Sequence, residues 1–373
     1  MITTFDDMIE HLSRRIGQEP SVASLSDVRT AILDAYREFA DAHPWRYLEQ
    51  VGRLVTVPPY STGTIAFTHS TRTVTLTGGT WPTWARYGTL KIGNVLCQVQ
   101  SRTSGTALVL DPTLNPGADI ASGNAYTLFR DTYDLPADMR NMGRMLSATT
   151  RLWLAPTSPI AWLDEMVTFS DQGDPWRYII VGSPHTPGRL AVRFAPAPST
   201  AITIDYWYQR RPRAIVVGEY DAGTCAVSGA TVTGTGTAWT SAMEGCVFRC
   251  SSLSNRKPTS FLGDTAPTHE SRILTRASDT SITLADAATA TLSGVKYSIS
   301  DPIDIEDGAM LSAFHRLCEY KLSLVRPLKD MQSPASAYQA ALIRAKEADA
   351  RYRSGMDRGP VNLFQRATFV ADQ

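Results

Sequence analysis

Apolar residues recur at helical spacing in the first 45 residues of the chain. A first helix is predicted where Thr4 can cap the start and Gly17 follows the end. A second helix is predicted from Ser26 to about His43, where Pro44 stops it. The apolar stripe of the first helix is Phe5, Met8, Ile9, Leu12 and Ile16, and that of the second is Val28, Ile32, Ala35, Tyr36 and Phe39.

The spacing changes twice in the middle of the chain. In "YDLPADMRNM", Asp134 and Pro136 predict the cap and first turn of a third helix, whose buried face would be Met139, Met142, Leu146 and Trp153. From Trp176 the apolar period is two, which predicts an antiparallel meander of three strands. Its alternating residues are Trp176, Tyr178, Ile180, then Leu190, Val192, Phe194, then Ile202, Ile204, Tyr206 and Tyr208.

Helical spacing returns near the C-terminus. An apolar stripe from Met310 to Val325 predicts a helix that ends at Pro327. Ser333 and Pro334 open the next helix, which runs to about Arg353 with Tyr338 and Leu342 as a narrow contact face. Residues 357–373 have apolar residues but no helical period, so we expect an extended segment, the C-terminal arm.

Two segments repeat one pattern. "TVTLTGGTW" at 73–81 resembles "TVTGTGTAW" at 231–239, and Gly, Thr and Tyr positions match on both sides, with Gly88 paired to Gly245. Each copy has about five short β-type runs, which predicts two similar small β-barrels or sandwiches at 59–129 and 218–301. Trp81 and Trp239 would plug these modules, or else stand exposed and stack on a sugar.

The predicted fold class is therefore α+β. Two similar β-modules interrupt a discontinuous helical core that also carries the β-meander, and an extended C-terminal arm follows. The core comprises 1–58, 130–217 and 302–356, the modules are 59–129 and 218–301, and the arm is 357–373.

Composition narrows the functional classes. Lys+Arg and Asp+Glu are each 36, so the net charge of +0 argues against tight, sequence-independent binding of nucleic acid. Five scattered cysteines predict buried free thiols; a zinc site at Cys246 and Cys250 lacks further ligands at suitable spacing. The N-terminus has no apolar signal region and no apolar run approaches a membrane span, so we expect synthesis in a cytoplasm and no membrane contact.

Residues that could do chemistry are isolated in the sequence. The glycines at Gly234 and Gly236 lack the third glycine of a dinucleotide loop. His185 is expected in a loop and His315 near a helix stripe, and either becomes a general base only with a further partner. We therefore expect a non-enzyme without cofactor or metal. The acidic residues nearest to a conceivable sugar site at Trp162 and Trp176 are Asp164, Glu165, Asp171 and Asp174.

The order of elements resembles the head-to-tail adaptor (connector) proteins of tailed bacteriophages. The resemblance depends on "YDLPADMRNM" and on "FAPAPSTAITIDYWYQRRP", and covers about half the chain. It implies a structural subunit of the virion neck, in which about twelve copies form a ring between the portal and the tail. Its partners would be further copies, the portal protein and a tail nozzle, tube or fibre protein, while genomic DNA passes through the lumen without specific binding.

Two further functions remain open from the sequence. One is a glycan-binding or glycan-degrading tail component in which Trp81, Trp84 and Trp239 stack on sugars, and the other is a tail-tube or baseplate hub subunit. For the C-terminal arm we expect docking on the portal, although packing on its own helices is the alternative. The candidate docking residues are Val361, Leu363, Phe364, Arg366, Phe369 and Val370.

Overall fold

The computed structural model describes residues 2–16, 21–165, 172–258, 266–306, 308–328 and 333–356. The chain is mixed α and β with curled sheets, in agreement with the predicted class at that level. It divides into two compact units: residues 1–47 with 212–373, and residues 48–211. All six candidate docking residues of the C-terminal arm lie outside the described residues. None of the described helices is long and apolar enough to cross a membrane.

The elements are numbered in chain order. The helices are α1 (Phe5–Ile16), α2 (Val22–Asp41), α3 (Pro159–Glu165), α4 (Ala309–Ser323) and α5 (Pro334–Met356). The strands are β1 (Glu49–Val55), β2 (Thr64–Thr68), β3 (Thr73–Thr77), β4 (Thr89–Ile92), β5 (Val95–Arg102), β6 (Ala107–Leu110), β7 (Ile120–Asn124), β8 (Thr127–Phe129), β9 (Thr132–Asp134), β10 (Met139–Ser147), β11 (Leu152–Pro156), β12 (Gln172–Gly173), β13 (Arg177–Gly182), β14 (Leu190–Ala195), β15 (Ala197–Pro198), β16 (Thr203–Arg210), β17 (Glu219–Tyr220), β18 (Thr224–Ser228), β19 (Thr231–Thr235), β20 (Val247–Cys250), β21 (His269–Ser278), β22 (Ser281–Leu284), β23 (Leu292–Val295) and β24 (Tyr297–Ser300).

The terminal helices form where the sequence predicts them. Thr4 caps α1 reciprocally, since its hydroxyl accepts from the Asp7 N–H and the Asp7 carboxylate accepts from the Thr4 N–H at 2.9 Å. The second helix begins earlier than predicted because Ser21, rather than a residue near Ser26, accepts from the Ser24 N–H as its cap. Helices α2 and α4 bury their apolar stripes, and Phe39 packs edge-on against Phe314 with ring centroids 6.0 Å apart.

The predicted third helix is wrong. Met139, Met142 and Leu146 lie in strand β10, and Trp153, expected in the buried face of that helix, lies in β11 and is exposed. Two β-bulges in β10 shift its pairing with β16. A bulge converts the strand period of two into a local period near three, which resembles the spacing of a helix.

The predicted meander is correct only in part. Strands β13 and β14 form an antiparallel hairpin, but β16 lies elsewhere in the same sheet, between β1 and β10. The order of this seven-stranded sheet is β1-β16-β10-β11-β13-β14-β9. Within the unit 48–211, this sheet and the first β-module each have a separate buried core.

The two β-modules have one strand order. The first is β7-β2-β3-β6-β5-β4-β8, and the second is β23-β18-β19-β22-β21-β20-β24 with β17 added at its end. Registers coincide as well: Thr64 pairs with Thr77 as Thr224 pairs with Thr235. The predicted pairing of Gly88 with Gly245 is wrong by one residue. Cys246 makes the backbone hydrogen bonds in the second module that Gly88 makes in the first.

Candidate interaction surface

Side chains alternate between the two faces of the seven-stranded sheet. The inner face is buried and includes Met145, Leu154, Ile204 and Tyr206. The opposite face carries four large apolar side chains on four adjacent strands, which we call the outer strip. Its members are Val51 on β1, Trp207 on β16, Leu146 on β10 and Trp153 on β11.

Strand registers make the outer strip contiguous. Val51 is the Cα partner of Trp207, and Leu146 is the Cα partner of Trp153. The exposed fractions are 65% for Val51, 62% for Trp153 and 42% for Trp207. Single exposed apolar residues are common on protein surfaces, but cross-strand pairs of them form a patch that favours contact with another molecule.

A β-bulge shapes the outer strip at Trp207. Between Met142 and Met145 the strand β10 has one residue more than β16 between Tyr208 and Tyr206. Gly143 lies in this bulge, and a Cβ atom there would approach the Trp207 carbonyl oxygen to 2.8 Å. The bulge borders an apolar groove of about 410 Å³, lined by Val51, Gly143, Arg144, Leu146, Trp153, Asp205, Tyr206 and Trp207.

Charged groups border the groove but leave its apolar side chains exposed. Arg53 donates to both carboxylate oxygens of Asp205, at 2.7 and 3.1 Å. These hydrogen bonds hold the pKa of Asp205 below its ordinary value. Arg144 lies over the Trp153 ring, with its guanidinium carbon 6.0 Å from the centroid. The groove therefore presents aromatic and aliphatic surface beside a neutralised ion pair, a composition typical of subunit contacts.

The tryptophans proposed for sugar stacking are mostly unavailable. Trp81 and Trp239 are each only 1% exposed and belong to the cores of the two modules, as expected for plugs. Trp84 is half-buried against the core of the first module. Because an aromatic ring must expose a face to stack on a sugar, Trp81 and Trp239 cannot serve a glycan site in this conformation.

The acidic candidates do not converge with an aromatic platform among the described residues. Trp162 is buried with Ile179 and Ala195, whereas Trp176 is 48% exposed and lies under the Arg177 guanidinium. Asp174 is exposed. The side chains of Asp164 and Glu165 and the whole of Asp171 lie outside the described part of the chain.

The two singled-out histidines occupy different settings. His185 lies in a loop, as predicted, and lines a 460 Å³ cleft that already contains an ion pair between Arg193 and Asp131 at 2.7 Å. Burial lowers the pKa of His185. His315 lies in α4, and its ring stacks on His11 with centroids 4.8 Å apart. No group of three or more His, Cys, Asp or Glu within the described ranges is placed to hold a metal ion.

All five cysteines are free and buried, as expected from their scatter. Burial raises the pKa of Cys225 and Cys246 to about 12 and that of Cys97 and Cys250 to about 11. The pKa of Cys318 is also raised, chiefly by burial. A thiol needs a lowered pKa and access to act as a nucleophile, so these groups are structural.

Comparison with models of known protein families and with curated proteins finds no match for this chain. The function is therefore inferred from the geometry of the outer strip. Sequence reasoning missed this surface, although a signal was present: Tyr206, Trp207 and Tyr208 are consecutive aromatics within one strand. Consecutive apolar residues in a strand face both sides of a sheet, so one of those sides must be an exposed apolar face or a second interface.

Proposed function

We propose that this protein is a structural assembly subunit and, more specifically, a ring-forming head-to-tail adaptor of the virion neck of a tailed bacteriophage. The observation that carries the assembly function is the outer strip, in which Val51, Trp153 and Trp207 are substantially exposed on one sheet face. Burial of such a patch between subunits contributes roughly 25 cal/mol for each Å² of apolar area removed from water, against which the entropy lost on association is set.

The groove favours a protein partner over a glycan. Sugar sites pair an aromatic face with several hydrogen-bonding side chains, because each buried sugar hydroxyl needs a partner. Here Asp205 is already paired with Arg53, and Arg144 lies over the Trp153 ring. The remaining lining is dominated by Val51, Leu146, Trp153 and Trp207. The burial of Trp81 and Trp239 further disfavours the glycan alternative.

The narrower assignment to a neck adaptor rests on the resemblance in element order. One of its two stretches, "YDLPADMRNM", ends in strand β10 rather than in a helix. The stretch "FAPAPSTAITIDYWYQRRP" retains its strands β14 and β16, and helices lie near both ends of the chain. In this proposal two similar modules are inserted into a discontinuous host, about twelve copies close a ring, and the partners are the portal and a tail nozzle, tube or fibre protein. Genomic DNA passes through the lumen without specific binding.

The decisive experiment is to measure the mass of the purified full chain over a range of concentrations and to image it by negative stain, alone and with portal protein. We expect closed rings. Val51→Glu and Trp153→Glu should leave the subunit folded, because both sites are exposed, but should abolish rings. Ile343→Glu is the matched control, since this equally apolar residue is 57% exposed on α5, outside the strip. A chain that stays monomeric at every concentration and ignores the portal would contradict the proposal.

A further inference from the structure

Strand β1 ends the seven-stranded sheet. Among the described residues it has one strand neighbour, β16, and all seven of its residues are in register with that strand. From Gln50 to Val55 its other edge therefore offers backbone donors and acceptors to an added strand, the arrangement by which sheets bind extended peptides. Because Val51 belongs both to β1 and to the outer strip, this edge borders the strip.

The C-terminal arm has the sequence expected of such an added strand. Within "VNLFQRATFVA", the odd positions are mostly apolar: Val361, Leu363, Ala367, Phe369 and Ala371. A strand presents alternate residues on one face, so the odd positions would form an apolar face, whereas the even positions mix Phe364 and Val370 with Asn362, Arg366 and Thr368. The 17 residues after Met356 span about 56–61 Å when fully extended, and they outnumber the seven residues of β1.

We propose that the C-terminal arm of one copy docks along the outer edge of β1 in a second copy, beside its outer strip. The backbone would extend the sheet by one strand, and the odd-position side chains would lie beside Val51 on the sheet face that carries the outer strip. Donation between copies rests on the proposed ring assembly, because an arm paired with β1 of its own chain would add no contact between copies. The recipient is thus another copy of this chain, not the portal expected from the sequence.

Hydrogen exchange of residues 49–55 in the full chain tests the proposal. At concentrations where the wild type assembles, we expect slow exchange in β1 that is lost on dilution. Leu363→Asp with Phe369→Asp should speed exchange in β1 at least tenfold and release monomers. The matched control, Asn362→Asp with Thr368→Asp, adds the same charge at even positions and should retain both protection and assembly. A synthetic peptide of residues 357–373, added to the Leu363→Asp/Phe369→Asp chain, should restore the protection.

Several results would overturn the proposal. Rings that persist in the odd-position variant with β1 still protected would show that something other than the arm pairs with the edge of β1. Protection that survives dilution to monomers would place the arm on its own chain. Normal rings that fail only to bind portal would assign the arm to the portal. If the wild type never assembles, the proposed function fails, whereas failure of the peptide to protect β1 counts against arm docking alone.

Discussion

The indole N–H of Trp239 donates a hydrogen bond to the Tyr297 hydroxyl at 3.0 Å, whereas the equivalent N–H of Trp81 has no acceptor among the described residues. The surroundings otherwise correspond: each tryptophan packs edge-on against a tyrosine, and its carbonyl accepts from Arg102 or Arg276. A buried tryptophan thus plugs each of the two modules, but its indole N–H has a described hydrogen-bond acceptor only in the second module.

This difference predicts unequal effects of one substitution. Trp→Phe removes similar apolar area in both modules, but at Trp239 it also breaks a hydrogen bond, while at Trp81 it removes a buried polar group that lacks a partner. We expect Trp81→Phe to be less destabilising than Trp239→Phe by about 1 kcal/mol. Hydrogen exchange in β2 and β3, compared with β18 and β19, measures this locally. Equal losses would mean that the N–H of Trp81 is satisfied by water.

Arg249 connects the start of the chain to the second module. It contacts Asp7 at 2.6 Å and Glu270 at 2.9 Å, and its own side chain is only 3% exposed. Arg249→Met leaves the buried Asp7 carboxylate without a counter-charge. We therefore expect the free energy of unfolding, measured in urea, to fall by about 3–5 kcal/mol. Adding Asp7→Asn should recover part of that loss. Lys257→Met, which breaks a more exposed ion pair with Asp6, serves as a control and should cost about 1 kcal/mol or less.

Glu319 makes the stability of the helical region depend on pH. Burial opposes ionisation of this carboxyl, but the His11 contact at 3.4 Å and the hydrogen bond from Arg316 at 2.8 Å outweigh it and lower the pKa below the ordinary 4.5. A pKa that is lower in the folded state contributes stability above the unfolded value, and this is lost as pH falls through the folded value. Thermal melting should therefore show an added decline below about pH 4.5, at most about 1.4 kcal/mol per pH unit. Glu319→Gln should be less stable at neutral pH and should lack this component of the slope.

The five thiols should be unreactive in the folded protein. Their burial and raised pKa values predict that a thiol-specific disulfide reagent at pH 8 labels none of them within minutes, and that denaturant exposes all five. Counting the released chromophore before and after denaturation measures this. Fast labelling of a single site in the native chain would reveal an opening of that region.

Two turn glycines should respond alike to substitution. Gly63 and Gly223 have φ values of +85° and +82°, and a Cβ atom would lie 2.3 or 2.4 Å from the carbonyl oxygen of Thr77 or Thr235. Alanine at either position adds a backbone clash to the left-handed conformation, so each should cost more than about 2 kcal/mol. Gly93→Ala is the matched control, because its φ of +57° is also left-handed but no atom lies within 4 Å. A cost at Gly63 no greater than at Gly93 would mean that the turn relaxes.

The sequence predicted what local chemistry determines. Caps and apolar stripes located α1, α2, α4 and α5, and repeated Gly and Trp positions located two segments with one strand order. The prediction from sequence failed where pairing between distant strands determines the secondary structure. The spacing of Met139, Met142 and Leu146 is helical, yet β10 is held between β16 and β11. Its bulges reproduce that spacing for Met139 and Met142 on the inner face, whereas Leu146 lies on the outer face.

The candidate surface was missed for a related reason. Exposure of Trp153 and Trp207 depends on which strands are neighbours and on which face is covered, and β16 pairs with strands more than 50 residues away. Spacing along the chain specifies that a strand has two faces, but only the assembled sheet determines which face remains open.

The duplicated strand order also creates a hazard during folding, because a hairpin from one module has the register needed to enter the other. Their core layers discourage this exchange. Ile65 faces Leu76 where Cys225 faces Gly234, and Phe67 occupies the place of Val227. A hairpin that entered the wrong module would leave a cavity or a clash at these layers, at a cost of several kcal/mol. The different buried side chains of the two modules therefore favour pairing of each hairpin within its own module and disfavour its insertion into the other.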